Sequence, residues 1–354
     1  MAPPVPGFKL NENGIPDFDD LPLRKGDPHL SAWGLYGDKD ELGTLNRLTD
    51  ERVAAAAKSE IRTGRRISLN WPLNSQQSGR SFFSRQAFHQ ELIRKDPRVV
   101  NDDVWSFNSQ VATQWDGLRH YAYQREALFY NGVTQEDIHG PGSTVNGIHA
   151  WAEQGIVGRG ILVDYHGWRT GAPSPPSASA AAFSPLAQTS IPLEDLLACL
   201  AAQGTAPRFG DILFVRTGFA AAYAALTPDE LAAHRAVVPH RFGGVARSAA
   251  LLRWLWSTFA AVAGDQPSFE SWPSASAAAA SSPSVDPDAD PALAGHALHE
   301  ILLAGWGCPV GELFDLEALA AHCRAERRWS FFVASEPCNV PGGVASPPNV
   351  LAIF

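Results

Sequence analysis

Gln110, Gln114, Asp116 and His120 lie in one short stretch, Ser109 to Tyr121, written SQVATQWDGLRHY. The spacing has the rhythm of a metal-ligand loop. Asp116 and His120 are the groups best suited to chemistry, because a carboxylate can hold a cation while an imidazole moves a proton. The two glutamines weaken the analogy. Their neutral amide oxygens are hard, weak donors that suit Mg or Mn better than Zn. In isolation the spacing equally fits a structural loop, with His120 hydrogen-bonded and Trp115 in the core, and that is the default reading.

A second pair lies far along the chain. His299 sits in Gly295 to Leu303, a helix-compatible run, and Glu312 follows the turn Gly305 to Gly311. A His and a Glu from separate elements are common parts of a nitrogen- and oxygen-ligated metal site. Taken alone, Glu312 is better read as capping the helix that follows, where its charge suits the dipole. Asp265 and Glu270 follow an apolar run and are site-wall residues or ordinary turn chemistry.

The elements that must position these groups alternate between two periods. Gly160 to Tyr165 and Gly210 to Gly218 read as buried strands, and Trp329 to Ala334 as a third. Ile191 to Ala202 has helical spacing. Arg247 to Ala263 is apolar nearly all round and is predicted to be a buried helix. Leu313 to Cys323 is another helix. This mixture predicts an α/β or α+β fold. Residues 1–30 form an extended arm, and 31–354 a single domain. Two stretches poor in large apolar residues, about 171–182 and 272–295, are expected to be exposed loop insertions.

Composition removes several classes of function. The chain has 354 residues, 45% of them hydrophobic, and a net charge of -9. The length supports a full core, and the acidic balance argues against a nucleic-acid partner. No apolar run has the length of a membrane span. The N-terminal stretch lacks the basic start and apolar core of a signal peptide. Cys199, Cys308, Cys323 and Cys338 are widely spaced and read as free thiols, so a cytoplasmic location is expected.

Taken together, the motifs resemble the cyclase family that includes kynurenine formamidase and isatin hydrolase, most closely its fungal branch. The resemblance runs from about Trp33 to the last residues. It is carried by Trp33-Gly34, Asp40 to Asn46, Thr113 to His120, Gly155 to Gly160, Gly210 to Gly218, His299 to Leu303 and Pro341 to Pro347. It implies a swivelling β/β/α fold with a mixed, barrel-like sheet and flanking helices. It also implies a homo-oligomer and a divalent metal, Zn or Mn.

The family signature is His-x-Gly-Thr-His-x-Asp-x-Pro-x-His. Its first two histidines fall on Gln110 and Gln114, its Gly on Ala112 and its Pro on Leu118. Asp116 and His120 keep their family types. The family's later ligands match His299 and Glu312, and its catalytic histidine matches His120. The resemblance therefore implies one metal position, or a weakly held ion, at Asp116, His299 and Glu312, with Gln110 and Gln114 at the depleted one.

The implied reaction is hydrolysis of a non-peptide carbon–nitrogen bond in a small molecule, such as an aryl formamide of tryptophan catabolism or a cyclic amide or imide. Trp105 and Trp115 are candidate pocket aromatics. Arg119 is a candidate for a substrate carboxylate or a surface ion pair. A metal-poor cyclase, dehydratase or isomerase and a non-catalytic binding protein are the competing readings.

Overall fold

A computed structural model describes residues 7–76, 81–171, 174, 176–274, 290–347 and 349–354. Residues 1–6 of the arm, 172, 173 and 175 of the first insertion and 275–289 of the second lie outside the described residues. The centre of the fold follows from its most apolar runs. Ile156–Val163 (β5), Asp211–Val215 (β7) and Phe259–Gly264 (β9) are parallel neighbours, joined by the parallel strand Val310–Glu312 (β10). Every residue of β7, β9 and β10 is buried. Parallel strands covered on both faces require continuous apolar sequence rather than alternation.

Antiparallel strands extend both sides. Beyond β5 lie Ser330–Ser335 (β11), Val350–Ile353 (β13) and Arg66–Ser68 (β1). Beyond β10 lie Gln114–Asp116 (β4) and Ala345–Ser346 (β12). The nine-stranded order is β1-β13-β11-β5-β7-β9-β10-β4-β12. A bridge between Asn70 and Phe314 joins the chain after β1 to the chain after β10. The sheet therefore curls back on itself, as the expected barrel-like α/β core requires. Helices Asp50–Glu60, Leu193–Gln203, Ala249–Thr258 and Glu317–Glu326 flank it.

Ser190–Ile191 (β6) and Gly244–Val245 (β8) make a minor parallel pair. His89–Arg94 (β2) and Asn101–Ser106 (β3) form a hairpin that leaves the sheet, with nearly every residue exposed.

One expectation is corrected. The predicted helix Arg247 to Ala263 is two elements, a helix to Thr258 and then strand β9. An uninterrupted apolar run hides such a boundary, because it satisfies both periods. In the low-complexity stretch at 171–182, Ala178–Ala182 is a short helix capped by the Ser177 side chain. Ala180 is buried there, and Ser177 and Ser179 both donate to Asp195. The described part of the arm wraps the core with Ile15, Phe18, Leu21 and Leu30.

A buried ion cluster ties the first helix to the sheet. Arg159 on β5 bridges Glu60 at 3.0 Å and Asp211 at 2.6 Å, and Arg328 reaches Glu60 at 2.7 Å. Burial alone would raise the Glu60 carboxyl, but Arg328, Ser330 and Arg159 together hold it below its usual 4.5. A depressed acid contributes stability above its unfolded pKa and loses it as pH falls through the folded one. We expect the urea midpoint of the wild type to drop below pH 4.5, and Glu60→Gln to have a lower midpoint at pH 7 and a flatter acid limb. Equal acid limbs in the two proteins would remove Glu60 from the pH response.

Candidate functional site

Strand alternation orients the first two groups. Gln114 and Asp116 share one face of β4, and Trp115 between them turns to the other. β4 and β10 are antiparallel with Gln114 opposite Glu312, so the two side chains meet on that face. The Gln114 amide donates to Glu312 Oε2 at 2.7 Å. The close approach depends on Gly311. A Cβ there would lie 2.7 Å from the rings of Trp115 and Phe314 and from the Ala263 side chain. Glu312 is thus a strand residue, not a helix cap, and it is almost fully buried.

His299 enters from a third element. It immediately precedes the π-helical turn Glu300–Gly305, a geometry that recurs at functional sites. Its Nε2 lies 3.1 Å from Glu312 Oε1, and its Nδ1 lies 2.6 Å from Glu270 Oε2. Glu270 also accepts from the His299 backbone N–H at 3.3 Å. Burial opposes charge on His299, but Glu270 and Glu312 hold its imidazole well above the usual 6.5. Burial alone would raise Glu270, and His299 holds it below 4.5.

Gln110 closes the group. Its amide donates to Asp116 Oδ1 at 2.7 Å and faces the His120 ring, 3.1 Å from Nδ1 and 3.3 Å from Nε2. An imidazole nitrogen without a proton is the acceptor for that amide N–H. Nε2 lies 3.6 Å from Asp116 Oδ2, beyond hydrogen-bond reach. Burial, reinforced by Arg85 and His299, pushes His120 down to about 3, so its imidazole is neutral. Burial raises Asp116, and burial with the neighbouring Asp116 charge raises Glu312.

Known proteins share this fold. The family model described as "Putative cyclase" matches residues 46–271. The chain belongs to the cyclase family. A solved structure described as a novel cyclase is 30% identical, covering 92% of this chain and 99% of its own, with a TM-score of 0.73. Isatin hydrolase A from Ralstonia solanacearum is 16% identical over 86% of this chain and 98% of its own, with a TM-score of 0.51. The enzyme of that name from Labrenzia aggregata, bound to benzyl benzoate, is also 16% identical, over 87% and 98%, with a TM-score of 0.50. These two share the fold. A search of the curated proteins finds no match.

In this chain the donor set fits a divalent cation. Ligand atoms of Asp116, His299 and Glu312 all lie within 4.8 Å of one another. Two buried oxygens beside them, Asp116 Oδ2 and Gln114 Oε1, have no hydrogen-bond partner. Three carboxylates, Asp116, Glu270 and Glu312, surround one imidazole held in its charged form, His299, beside the neutral His120, an excess of buried negative charge that calls for protons or a cation. Glu270 on Nδ1 fixes the ring of His299 and leaves Nε2 for an ion, the usual outer support of a ligating histidine. A second group, Glu126, His296 and Glu300, also sets two carboxylates around a histidine, with Glu126 exposed. Glu300 is occupied there by the backbone N–H groups of Gln124 and Ala297 and by His296, which reads as helix-start chemistry.

The remaining predicted residues lie elsewhere. Trp115 is fully buried, donates to Ser335 Oγ at 3.0 Å and packs on Phe314. Arg119 donates to the carbonyls of Val145, Gly342 and Ser143 at 2.5, 2.8 and 3.1 Å, which pins two loops together. Trp105 is 56% exposed on the hairpin, its indole N–H on Asp103. Arg85 is the residue that sequence reasoning missed. No motif marks it, yet its charge acts on Asp116, His120 and Glu312.

Proposed function

We propose that this cyclase-family chain is a metal-dependent hydrolase of non-peptide carbon–nitrogen bonds in small molecules. The observation that carries this is the convergence of Asp116, His299 and Glu312 beside the two unpartnered oxygens of Asp116 and Gln114. One nitrogen and several oxygens favour Mn over Zn. A cation held there supplies Lewis acidity to a carbonyl oxygen and to a water. Asp116, His299 and Glu312 bind it, and Glu270 orients His299. Neutral His120 takes a proton and returns one to the leaving nitrogen. Gln110 holds the His120 ring beside Asp116.

The proposal extends to aryl formamides, including those of tryptophan catabolism, and to cyclic amides and imides as the first substrates to test. It also takes the chain as a homo-oligomer in the cytoplasm. The three buried free thiols suit a reducing compartment.

One observation favours a second reading. The amide nitrogens of Gln110 and Gln114, not their oxygens, face Asp116 and Glu312. Amide donors can neutralise carboxylates without a metal. The site would then perform proton transfer alone, as in cyclisation, dehydration or isomerisation.

Metal content decides between them. Plasma mass spectrometry of untagged protein should give near-stoichiometric Mn or Zn, lost in Glu312→Gln. No metal, and none taken up on titration, would sink the hydrolytic reading and favour the second.

A further inference from the structure

The segment Ser81 to Arg85 is held in an unusual shape beside the site. Phe83 and Ser84 both have left-handed backbones, φ 57° and 55°, although neither is glycine. Such conformations cost of order 1–3 kcal/mol each and persist only where the surroundings impose them. The surroundings here are explicit. Phe82 N–H donates to Gln76 Oε1 at 2.9 Å, and Phe83 N–H donates to His240 Nε2 at 3.0 Å. The Ser81 hydroxyl donates to the Arg85 carbonyl. The Phe82 ring is buried among Phe219, Tyr223 and Phe242 and anchors the segment.

This shape delivers one side chain. The half-buried Arg85 guanidinium lies over the Phe83 ring, 4.9 Å from its centroid, and donates to the Gln110 carbonyl at 2.9 Å. Gln110 is the residue whose amide touches Asp116 and His120. Among the described residues Arg85 has no carboxylate within 4 Å. The ring lies against the guanidinium, and among the described residues the Gln110 carbonyl is its one hydrogen-bond acceptor. Planar, oriented and without a carboxylate partner among the described residues, it suits bidentate binding of a planar anion. Phe83, which also meets Trp272 edge-on at 5.8 Å, offers an aromatic surface beside it.

We propose that Arg85 and Phe83 form a recognition subsite for a carboxylate on an aromatic substrate. Without a cation there, the acidic groups Asp116, Glu270 and Glu312 would repel such a molecule. The inference rests on the reading of this site as the catalytic centre, and it adds that the preferred substrates are aryl carboxylates.

Binding of two fluorescent probes tests it without turnover. Anthranilate and 2-aminobenzamide share one ring and differ in charge. We expect the wild type to bind anthranilate at least tenfold more tightly. Arg85→Gln should lose about 10–100-fold for anthranilate and little for the amide. Arg85→Lys should restore part of the difference, because it keeps the charge and loses the fork. An unchanged melting temperature shows that the variants fold. Parity of the two probes in the wild type overturns the proposal, as does no detectable anthranilate binding. An anion preference that survives in Arg85→Gln also overturns it. Because these readings need no catalysis, they stand or fall separately from the search for hydrolysis.

Discussion

Replacing His120 with alanine should lower turnover by about 10²–10⁴-fold, the range for losing a positioned acid–base group. The substitution should leave metal content and folding intact, because His120 is only 20% exposed yet makes no contact that holds a strand. Its ring meets the Gln110 amide and the neighbouring rings of Tyr121 and His299. The test has two readouts on one preparation, turnover of whichever amide or imide the wild type hydrolyses and metal stoichiometry. Lost turnover with metal retained assigns His120 to proton transfer. Lost metal assigns it to the ligand set. Full activity removes it from the mechanism.

The largest effect on stability should come from Arg216. It follows β7 and joins two elements, donating to Asp164 at 2.7 Å and to both oxygens of Glu317 at 2.8 and 2.6 Å. Arg216 is 4% exposed and Asp164 is 2% exposed. Arg216→Met removes the charge from a site that keeps both carboxylates. A buried carboxylate left without its partner costs about 3–5 kcal/mol. Arg324, which reaches Asp164 at 2.7 Å from a more exposed position, will recover only part of that. Urea denaturation should show a midpoint shift of that size at constant slope. A loss below about 1 kcal/mol would mean that Arg324 alone compensates Asp164.

What the sequence discloses depends on the length of chain that carries the signal. Strands β5, β7 and β11 are readable because a short apolar run bounded by glycines or polar residues fits little else. The helix–strand boundary at Thr258 is not, because both sides are apolar and the change is one of backbone pairing. Asp116, His120, His299 and Glu312 are visible as residue types, but their convergence is a property of the β4–β10 register and of the turn that starts at His299. The role of Trp115 follows from alternation. It flanks Asp116 in sequence and faces the opposite side of the strand. Arg85 carries no signal, because its place depends on two left-handed residues and on ties to Gln76, His240 and Gln110. Glu270 is visible as an acidic residue after an apolar run, while its hold on His299 is visible only in space.

The order of the sheet has a consequence for biosynthesis. Strand β13, residues 350–353, lies between β1 and β11, and β12, residues 345–346, pairs with β4 beside Asp116. Early strands therefore wait for late ones. β1 gains its neighbour only when more than two hundred further residues have left the ribosome, and β4 waits similarly for β10 and β12. Loop-closure entropy makes such distant pairings slow. The chain emerges with β1 and β4 as unpaired edges, the condition in which nascent β-rich segments meet chaperones. Asp116 is thus positioned only once β10 and β12 have been made, so the site arises by long-range pairing and not by growth of a preformed loop.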